Sequence, residues 1–447
     1  MQNLKKNLRE LLKYPSAVIG IVLIVLLVAI SVGTLIYIPR DEAVRLWRGG
    51  DQVWGQNPRT APPVWTNWFR SEKLPETIVR DLDTEGTTVE RSPRDMGENL
   101  VAVYTFEYTA DDYPQDILLK FTSDYTNRNP FVSIYWITPD GREIRMTEQG
   151  IGYNTTYRAV QDDALERRVG GLSPEIGLFD DPNTEELDVL KGTYKVVVDA
   201  LTFEDDSVVE EAELILHGKV FGWFGTDVQR RDLSIAILWG TPIALAFGLT
   251  ASFGSSVFSM IFAAIGVWFG GWIDEAIQRV TEISLTLPFL SILIMVGTFY
   301  SKSIWTILWV TVLLTIFGSS IKTYRAIFLQ VKESPYIEAA HAYGASNTRI
   351  VFSYLIPRMI PLLIPGLVLG VPSYVFLEAT LAALSLGDPV LPTWGKVIYD
   401  AQSNGAVYNG FYYWILEPAV LLVLTGLAFA MVGFSLDRIF NPRLRDV

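Results

Sequence analysis

Cysteine is absent from this 447-residue chain, and histidine occurs only at His217 and His341. The first absence excludes disulfides, thiolate metal sites and a cysteine nucleophile. We expect the two histidines to lie on opposite sides of a membrane, and we therefore expect neither a shared metal site nor a catalytic triad. The phosphate-binding pattern G-x4-G-K-[ST] is also missing. We therefore expect no catalytic residue, no metal and no cofactor bound by this chain itself.

Charge is scarce and unevenly placed. Charged residues make up 19% of the chain and apolar residues 50%, with a mean hydropathy of +0.27. These values indicate a membrane protein with a soluble part. The formal charge is +4 over residues 1–40, −17 over 41–230 and zero over 231–447. Because the acidic excess belongs to one segment, nucleic acid is not expected as a partner.

Uncharged apolar runs predict six membrane-spanning helices. The first run follows basic residues but is too long for a secretory signal, so we expect an uncleaved anchor. The second run is long enough for a hairpin around Gly270-Gly271, but one crossing is preferred because six spans place both termini on one side. The fourth helix is expected to continue through Tyr324. The runs are 17–38, 233–273, 283–300, 303–321, 359–386 and 418–436.

Basic residues orient these spans. Short segments on the side of the termini carry thirteen Lys and Arg residues, whereas those on the other side carry only Lys302 and Lys396. The positive-inside rule therefore predicts cytosolic termini and a plasma (inner) membrane location. The predicted parts are residues 1–39, the N-terminus with the first helix; 40–228, an extracytoplasmic domain; and 229–447, a five-helix core.

The acidic segment 40–228 has the pattern of a folded β domain. Partial period-two alternation predicts strands over 100–108, 117–122, 131–138 and 192–202, with a possible returning strand over 144–147 after the turn Pro139-Asp140-Gly141-Arg142. Several short strands joined by turns indicate a mainly β sandwich or small barrel. The tryptophans within 40–70 fit either a collar at the lipid headgroups or packing in the β core. They are Trp47, Trp54, Trp65 and Trp68.

Residues 336–357 read YIEAAHAYGASNTRIVFSYLIP and lie between two predicted spans on the cytosolic side. Ala339 and Ala340 give a small-residue helix face, Gly344 allows a turn or a close approach, and Pro357 is expected to stop the helix. With Glu338, this pattern resembles the EAA loop of importer-type ABC transporter permeases, most closely the C-type subunit of the oligopeptide/dipeptide family.

Other segments extend the resemblance in the same order along the chain. Arg230 and Ser385 stand where the family usually has glycine, and the long acidic insert is the largest departure. The matching segments are LRELLKYPSAVIGIVLIVLL near the N-terminus, Gly225-Thr226-Asp227 with Arg231-Asp232, FGGWIDE from Phe269, Leu287-Pro288-Phe289, Glu378-Ala379-Thr380-Leu381, Trp394-Gly395 and Asn441-Pro442-Arg443-Leu444-Arg445.

The resemblance implies the transmembrane permease subunit of an ATP-driven importer for peptides or similar small solutes. Its implied partners are a homologous permease in a heterodimer, two ABC ATPase subunits that bind ATP and Mg, an extracytoplasmic substrate-binding protein and the lipid bilayer. The coupling helix is expected over 334–350, with Glu338 pairing a cation of the ATPase. Ala339, Ala340 and Gly344 would seat closely in that partner, with Pro357 closing the segment.

The path across the membrane is expected along the third and fifth spans. Prolines leave backbone groups that need protein or water partners, and Glu378 is either functional or reaches water at a helix end. The pathway or gating candidates are Pro288, Pro361, Pro365, Pro372 and Glu378. Two alternatives remain: a membrane-anchored receptor or sensor whose β domain binds ligand, and the same permease scaffold for nickel or oligosaccharides.

Overall fold

The computed structural model describes residues 10–184 and 186–440. The basic residues Lys5, Lys6 and Arg9 and the predicted terminal motif 441–445 lie outside the described residues. The chain divides into two compact units. One unit contains the residues up to Arg48 and those from Ile235 onward, and the other is Gly49–Ser234.

Two helices begin the first unit: α1, Pro15–Tyr37, and α2, Arg40–Arg48. Helix α2 has acidic residues in its first turn and basic residues in its last, which suits the helix dipole. It buries Ala43 and Trp47. We predicted that residues 40–48 begin the inserted domain 40–228, whereas α2 belongs to the helical unit, in which Ala43 is buried with Trp239 and Ile304.

The described residues of the second unit form nine strands with short helices around them. The helices are α3, Asp51–Trp54; α4, Asp163–Arg168; α5, Pro174–Gly177; and 3-10 helices at Val64–Phe69 and Ala159–Gln161. The strands are β1, Ile78–Arg80; β2, Thr87–Pro93; β3, Glu98–Tyr108; β4, Asp116–Asp124; β5, Phe131–Ile137; β6, Glu143–Gly150; β7, Asn154–Arg158; β8, Gly192–Leu201; and β9, Val208–His217.

The strands form two antiparallel sheets with a common core. The four-stranded sheet has the order β1-β9-β4-β7 and the five-stranded sheet the order β2-β3-β8-β5-β6. Inward side chains of both sheets meet in one apolar cluster, where Tyr194 lies between Phe106 and Phe179 at ring distances of 5.7 and 4.8 Å. A β-rich region is therefore confirmed, and its two facing sheets make a sandwich. None of the four tryptophans within 40–70 belongs to this core.

The helical unit resumes after the β unit. A 37-residue helix α6, Leu233–Phe269, opens this part. The helices that follow are α7, Gly271–Thr286; α8, Phe289–Phe299; α9, Ile304–Ile316; α10, Ser319–Lys332; α11, Pro335–Ala342; α12, Asn347–Ile350; α13, Ile356–Leu381; α14, Trp394–Ser403; and α15, Tyr413–Phe440.

The helical unit contains segments suited to cross a membrane. Four are long and apolar enough: Pro15–Tyr37, Leu233–Phe269, Asn347–Leu386 and Tyr413–Phe440. Two bent pairs, α7 with α8 and α9 with α10, pass the same test together, with bends of 77° and 42°. The predicted third and fourth spans are therefore not straight helices, because the chain breaks at Pro288 and at Gly318. The count of six spans stays a prediction.

The fifth predicted span differs from expectation at its prolines. Helix α13 continues through Pro361, Pro365 and Pro372, which were expected to interrupt it. Pro357 lies in its first turn, where the missing N–H has no helical partner to lose, so it does not stop the helix. Within this helix the Leu367 carbonyl also accepts a hydrogen bond from the Ser252 hydroxyl of α6, at 2.6 Å. π-Helical turns at Val351–Leu355 and Ala382–Leu386 flank α13.

Candidate coupling site

Helix α11 carries the segment that the sequence singled out. Pro335 occupies its first turn together with Glu338, whose charge suits a helix N-terminus. The helix ends in a Schellman motif, since Gly344 has φ +78° and donates to His341 O at 2.9 Å. Ala345 N donates to Ala340 O at 3.1 Å in the same motif. Gly344 therefore makes a turn that residues with side chains rarely allow.

This turn divides the predicted coupling helix. We expected one helix over 334–350, and the structure has two, α11 and α12, because the left-handed Gly344 reverses the chain between them. A Cβ atom added to Gly344 would meet nothing within 4 Å. Of the two roles considered for this glycine, the turn is present within this chain, whereas a close approach would need another polypeptide.

The two faces of α11 differ. Ile337 is buried in a cluster with Ile350 and with Phe328 of α10, and Ala340 is also buried. Glu338 and Ala339 are exposed, and so is Gly344. We predicted that Ala340 seats in the partner, and within this chain its side chain is already buried. The free face is formed by Glu338, Ala339, Ala342, Tyr343 and Gly344.

Two cationic side chains hold the helices beneath α11. Lys332 Nζ donates to the last-turn carbonyls of α6, at 2.8 Å from Val267 O and 3.3 Å from Trp268 O. Arg325 forms a bidentate ion pair with Asp274, with contacts of 2.6 and 2.9 Å. Sequence reasoning counted both cations only as positive-inside charges. The signal for Arg325 was Asp274 in the FGGWIDE segment, whose carboxylate needs a partner. These contacts connect α10, which precedes α11, to α6 and α7.

The pathway candidates occupy different places. Pro288 lies at the start of α8, and Gly297 of that helix packs against Leu386, whose Cδ2 lies 3.0 Å from the position of an added Cβ. Pro361 is exposed, Pro365 is buried, and Pro372 is half-buried. Glu378 is 7% exposed and contacts the Thr393 hydroxyl. The structure thus places Glu378 about 30 Å along the helix from Pro357 and does not bring it to the coupling site.

The segment from Gly225 to Asp232 forms a tight loop within the β unit. The Thr226 hydroxyl donates to Pro58 O at 2.8 Å and accepts from Ala61 N at 3.0 Å. Asp227 accepts from Arg231 Nε at 2.6 Å and from Arg231 N at 2.9 Å. Burial raises the pKa of Asp227 despite this arginine. The motif therefore consists of residues that fix one loop.

Arg230 extends this loop into a buried polar network with His217. Arg230 Nη1 lies 3.0 Å from His217 Nδ1 and 2.6 Å from Asn57 O, and His217 Nε2 lies 3.1 Å from Gly55 O. Arginine only donates, so a neutral ring with its proton on Nε2 satisfies both ring nitrogens. Burial, and then the charge of Arg230, lower the pKa of His217 to about 3. His217 is therefore a neutral structural residue.

The apolar helices with their breaks indicate a multi-pass membrane protein. The short helix α11, exposed on one face next to the fixed helix α10, is the kind of element by which a permease can contact a partner. Residues 255–446 match the family described as "Binding-protein-dependent transport system inner membrane component". The chain belongs to this family, in its oligopeptide/dipeptide branch, and is a permease subunit of a binding-protein-dependent ABC importer. The predicted family is confirmed.

Several characterised proteins are similar to this chain. The oligopeptide transport system permease protein OppC of Bacillus subtilis (strain 168) is 30% identical over 227 residues, which are 50% of this chain and 72% of that protein. The dipeptide transport system permease protein DppC of the same organism is 29% identical over 226 residues, 50% of this chain and 69% of that protein. The peptidoglycan transport system permease protein YejE of Agrobacterium fabrum (strain C58 / ATCC 33970) is 30% identical over 229 residues, 49% of this chain and 57% of that protein.

Proposed function

We propose that this permease imports peptides or similar small solutes and is driven through α11 by cytosolic ATPase subunits. The observation that carries the proposal is the two-faced α11, which packs on its own chain through Ile337, buries Ala340 and leaves Glu338 and Ala339 exposed. A short helix fixed on one face and exposed on the other can transmit a push as a rigid body. The names of the similar permeases support peptides as cargo.

The proposed complex contains two ABC ATPase subunits, a homologous permease in a heterodimer and an extracytoplasmic binding protein. ATP and Mg bind to the ATPase subunits, since this chain has no G-x4-G-K-[ST] pattern. Glu338 is proposed to pair with a cation of the ATPase at the edge of the contact. Ala339, Ala342 and Gly344 leave room for close packing there.

Motion of α11 would reach the pathway through the start of the fifth span. Ile337 shares its buried cluster with Ile350 and Val351, so displacement of α11 shifts the first π-helical turn. The helix beyond that turn contains Pro361, Pro365 and Pro372, whose missing N–H groups weaken the helix ladder. We propose that this span and Pro288 line the path, with Glu378 at the far end.

We propose a plasma (inner) membrane location with six spans, both termini cytosolic, and the β unit outside the cytosol. The bent pairs allow the six-span count. The β unit is proposed to contact the binding protein or shape the entrance to the pathway. Its segment carries most of the acidic excess, so a contact with a basic partner should weaken as salt shortens the Debye length from about 10 Å to about 3 Å.

The test uses the complex that co-purifies with this chain, reconstituted in proteoliposomes with its binding protein. We expect ATP-dependent accumulation of labelled peptides, and we expect Glu338→Ala to lower peptide-stimulated ATP hydrolysis. The matched control is Glu333→Ala, which removes an exposed glutamate outside α11 and should retain activity. Equal activity of the two variants would remove Glu338 from the coupling contact. Accumulation of nickel or oligosaccharide without peptide would overturn the proposed cargo.

A further inference from the structure

An apolar cleft of about 280 Å³ opens on the helical unit between α1, α6 and α9. Leu35 of α1, Ala246 of α6 and Leu308 of α9 contribute to its walls. Arg40, at the start of α2, is the one charged residue of its lining. The cleft therefore combines a hydrocarbon interior with a single cation at one edge.

The position of the cleft follows from the helix ends around it. Helix α1 ends at Tyr37, shortly before Arg40, whereas α9 begins at Ile304. Trp239 is near the start of α6, and its Nε1 donates to Ile38 O at 3.2 Å. Trp305 is 54% exposed beside the same end. Indole rings concentrate at the membrane–water boundary, so this end of the cleft lies at headgroup depth.

The other end of α6 is held by Lys332 beneath the coupling site. Ala246 precedes Val267 by twenty-one residues in one continuous helix, a rise of about 30 Å. This distance matches the hydrocarbon thickness of a bilayer. The cleft therefore belongs to the leaflet opposite α11.

Arg40 is available to bind an anion. Its side chain is exposed, and it forms no ion pair within residues 10–184 and 186–440. Glu42, in the same turn of α2, is already occupied by Arg45 at 2.6 and 2.8 Å. Helix α2 is fixed because Ala43 is buried with Trp239 and Ile304. A guanidinium can bind two oxygens of one phosphate.

We propose that the cleft is a phospholipid-binding site, with one acyl chain between α1, α6 and α9 and the phosphate on Arg40. An acyl chain suits the apolar walls, and its phosphate stays at the headgroup level where Arg40 and the indoles lie. A helix of a partner protein has a diameter of about 10 Å and is too wide for a cleft of this volume. A peptide would leave its backbone polar groups unpaired against these walls.

The experiment uses the intact transporter complex in nanodiscs with two photoactivatable probes. One is phosphatidylglycerol carrying a diazirine midway along an acyl chain, and the other is diacylglycerol with the same chain. Mass spectrometry should find phosphatidylglycerol crosslinks on α6 and α9 beside Ala246 and Leu308. Arg40→Gln should lower this yield about tenfold, the loss of one charge-assisted contact, and leave the diacylglycerol yield unchanged.

Matched variants separate the cleft from the general lipid surface. Arg48→Gln removes an exposed arginine from the other end of α2 and should not change either yield. Ala246→Trp should fill the cleft and reduce both probes, whereas Leu249→Trp, on an exposed part of α6, should not. Equal yields in Arg40→Gln and Arg48→Gln would overturn the phosphate site. Crosslinks found with the isolated chain but lost in the complex would show that a partner subunit covers the cleft, which would also overturn the proposal.

Discussion

Three described residues with side chains occupy backbone positions that favour glycine. Thr60 has φ +46°, Arg230 has φ +66° and Ser385 has φ +69°. Arg230 and Ser385 stand where the oligopeptide/dipeptide permeases that this chain resembles usually have glycine. The sequence therefore marked two of these positions as departures from the family, but it did not predict their left-handed backbone. The sequence also could not predict which contacts offset the backbone strain of a residue with a side chain at such a position. For Arg230 these are the buried contacts with His217 and Asn57.

Substitutions at Ser385 can measure the free-energy cost of placing a residue with a side chain in the left-handed backbone conformation. Its side chain contacts the half-buried Tyr399, and its carbonyl accepts from Lys302 Nζ at 2.9 Å. Both Ser385→Gly and Ser385→Ala remove the hydroxyl, but only glycine relieves the backbone strain. We expect Ser385→Gly to be more stable than Ser385→Ala by about 1 kcal/mol. Thermal unfolding of the detergent-solubilised chain compares them, and equal midpoints would contradict this expectation.

His217 should make the β unit sensitive to acid. Its folded pKa of about 3 lies below the unfolded value near 6.5, so only the unfolded chain takes up the proton in between. Stability is thus full above pH 7 and falls as the pH drops below about 6.5. At pH 5 this loss is about 2 kcal/mol. His217→Gln can still accept from Arg230 and donate to Gly55, and it should lack this loss.

The measurement is urea unfolding of segment 49–234 at pH 7 and pH 5, for the native sequence and for His217→Gln. Asp116 and Asp227 have pKa values raised by burial, so their contribution changes in the opposite sense, but it is common to both proteins. The difference between the two proteins therefore isolates His217. Parallel pH dependences would show that His217 is not buried as a neutral ring.

At the scale of single elements, alternation in the sequence predicted the strands that have one buried face. Strands β3 and β8 alternate between buried and more exposed residues along most of their length. Strand β2, TTVERSP, was missed because it is an edge strand with polar residues, exposed along nearly all of its length. Its place is fixed by backbone pairing with β3, which leaves no hydrophobic period to detect.

Hydropathy located the membrane helices, and Pro288 was expected to bend the third span, but the break at Gly318 was not predicted. The runs 283–300 and 303–321 look continuous because the residues around each break are as apolar as the helices. Pro288 and Gly318 were visible, yet prolines within α13 leave that helix continuous. The effect of a proline on a membrane helix depends on the packing that surrounds it. Sequence alone does not reveal that packing.

The turn after α11 gives a prediction for coupling. Gly344→Trp should abolish transport while the chain remains inserted, because an indole on the free face would obstruct a close contact with the ATPase. Since φ is +78°, any side chain also adds strain, so the matched control is Gly344→Asn, which tolerates this conformation. We expect the asparagine variant to retain most peptide-stimulated ATP hydrolysis. Equal loss in both variants would assign the effect to the backbone, and undiminished hydrolysis in the tryptophan variant would remove Gly344 from the contact.

At the scale of the whole molecule, composition separated an acidic β region from apolar helices, but not the residues that complete the β unit. The strands predicted from the sequence all lie between residues 100 and 202. Thr226 ties Pro58 to Ala61, and Arg230 reaches Asn57. Residues near both ends of Gly49–Ser234 are therefore needed to complete the β unit. Hydrogen bonds between residues so far apart in the chain leave no local sequence pattern that could predict them. Close termini also suit a domain inserted into a parent fold.

The topology of the whole chain can be tested with single cysteines, since the native chain has none. Thr88 on β2, Asn183 in a loop and Asn347 at the start of α12 are all exposed, so differences in labelling will report sidedness rather than burial. In intact cells a membrane-impermeant maleimide should label Thr88→Cys and Asn183→Cys but not Asn347→Cys. After permeabilisation all three should react. The reverse pattern in intact cells would place α11 outside the cytosol, and a contact between α11 and cytosolic ATPase subunits would then be impossible.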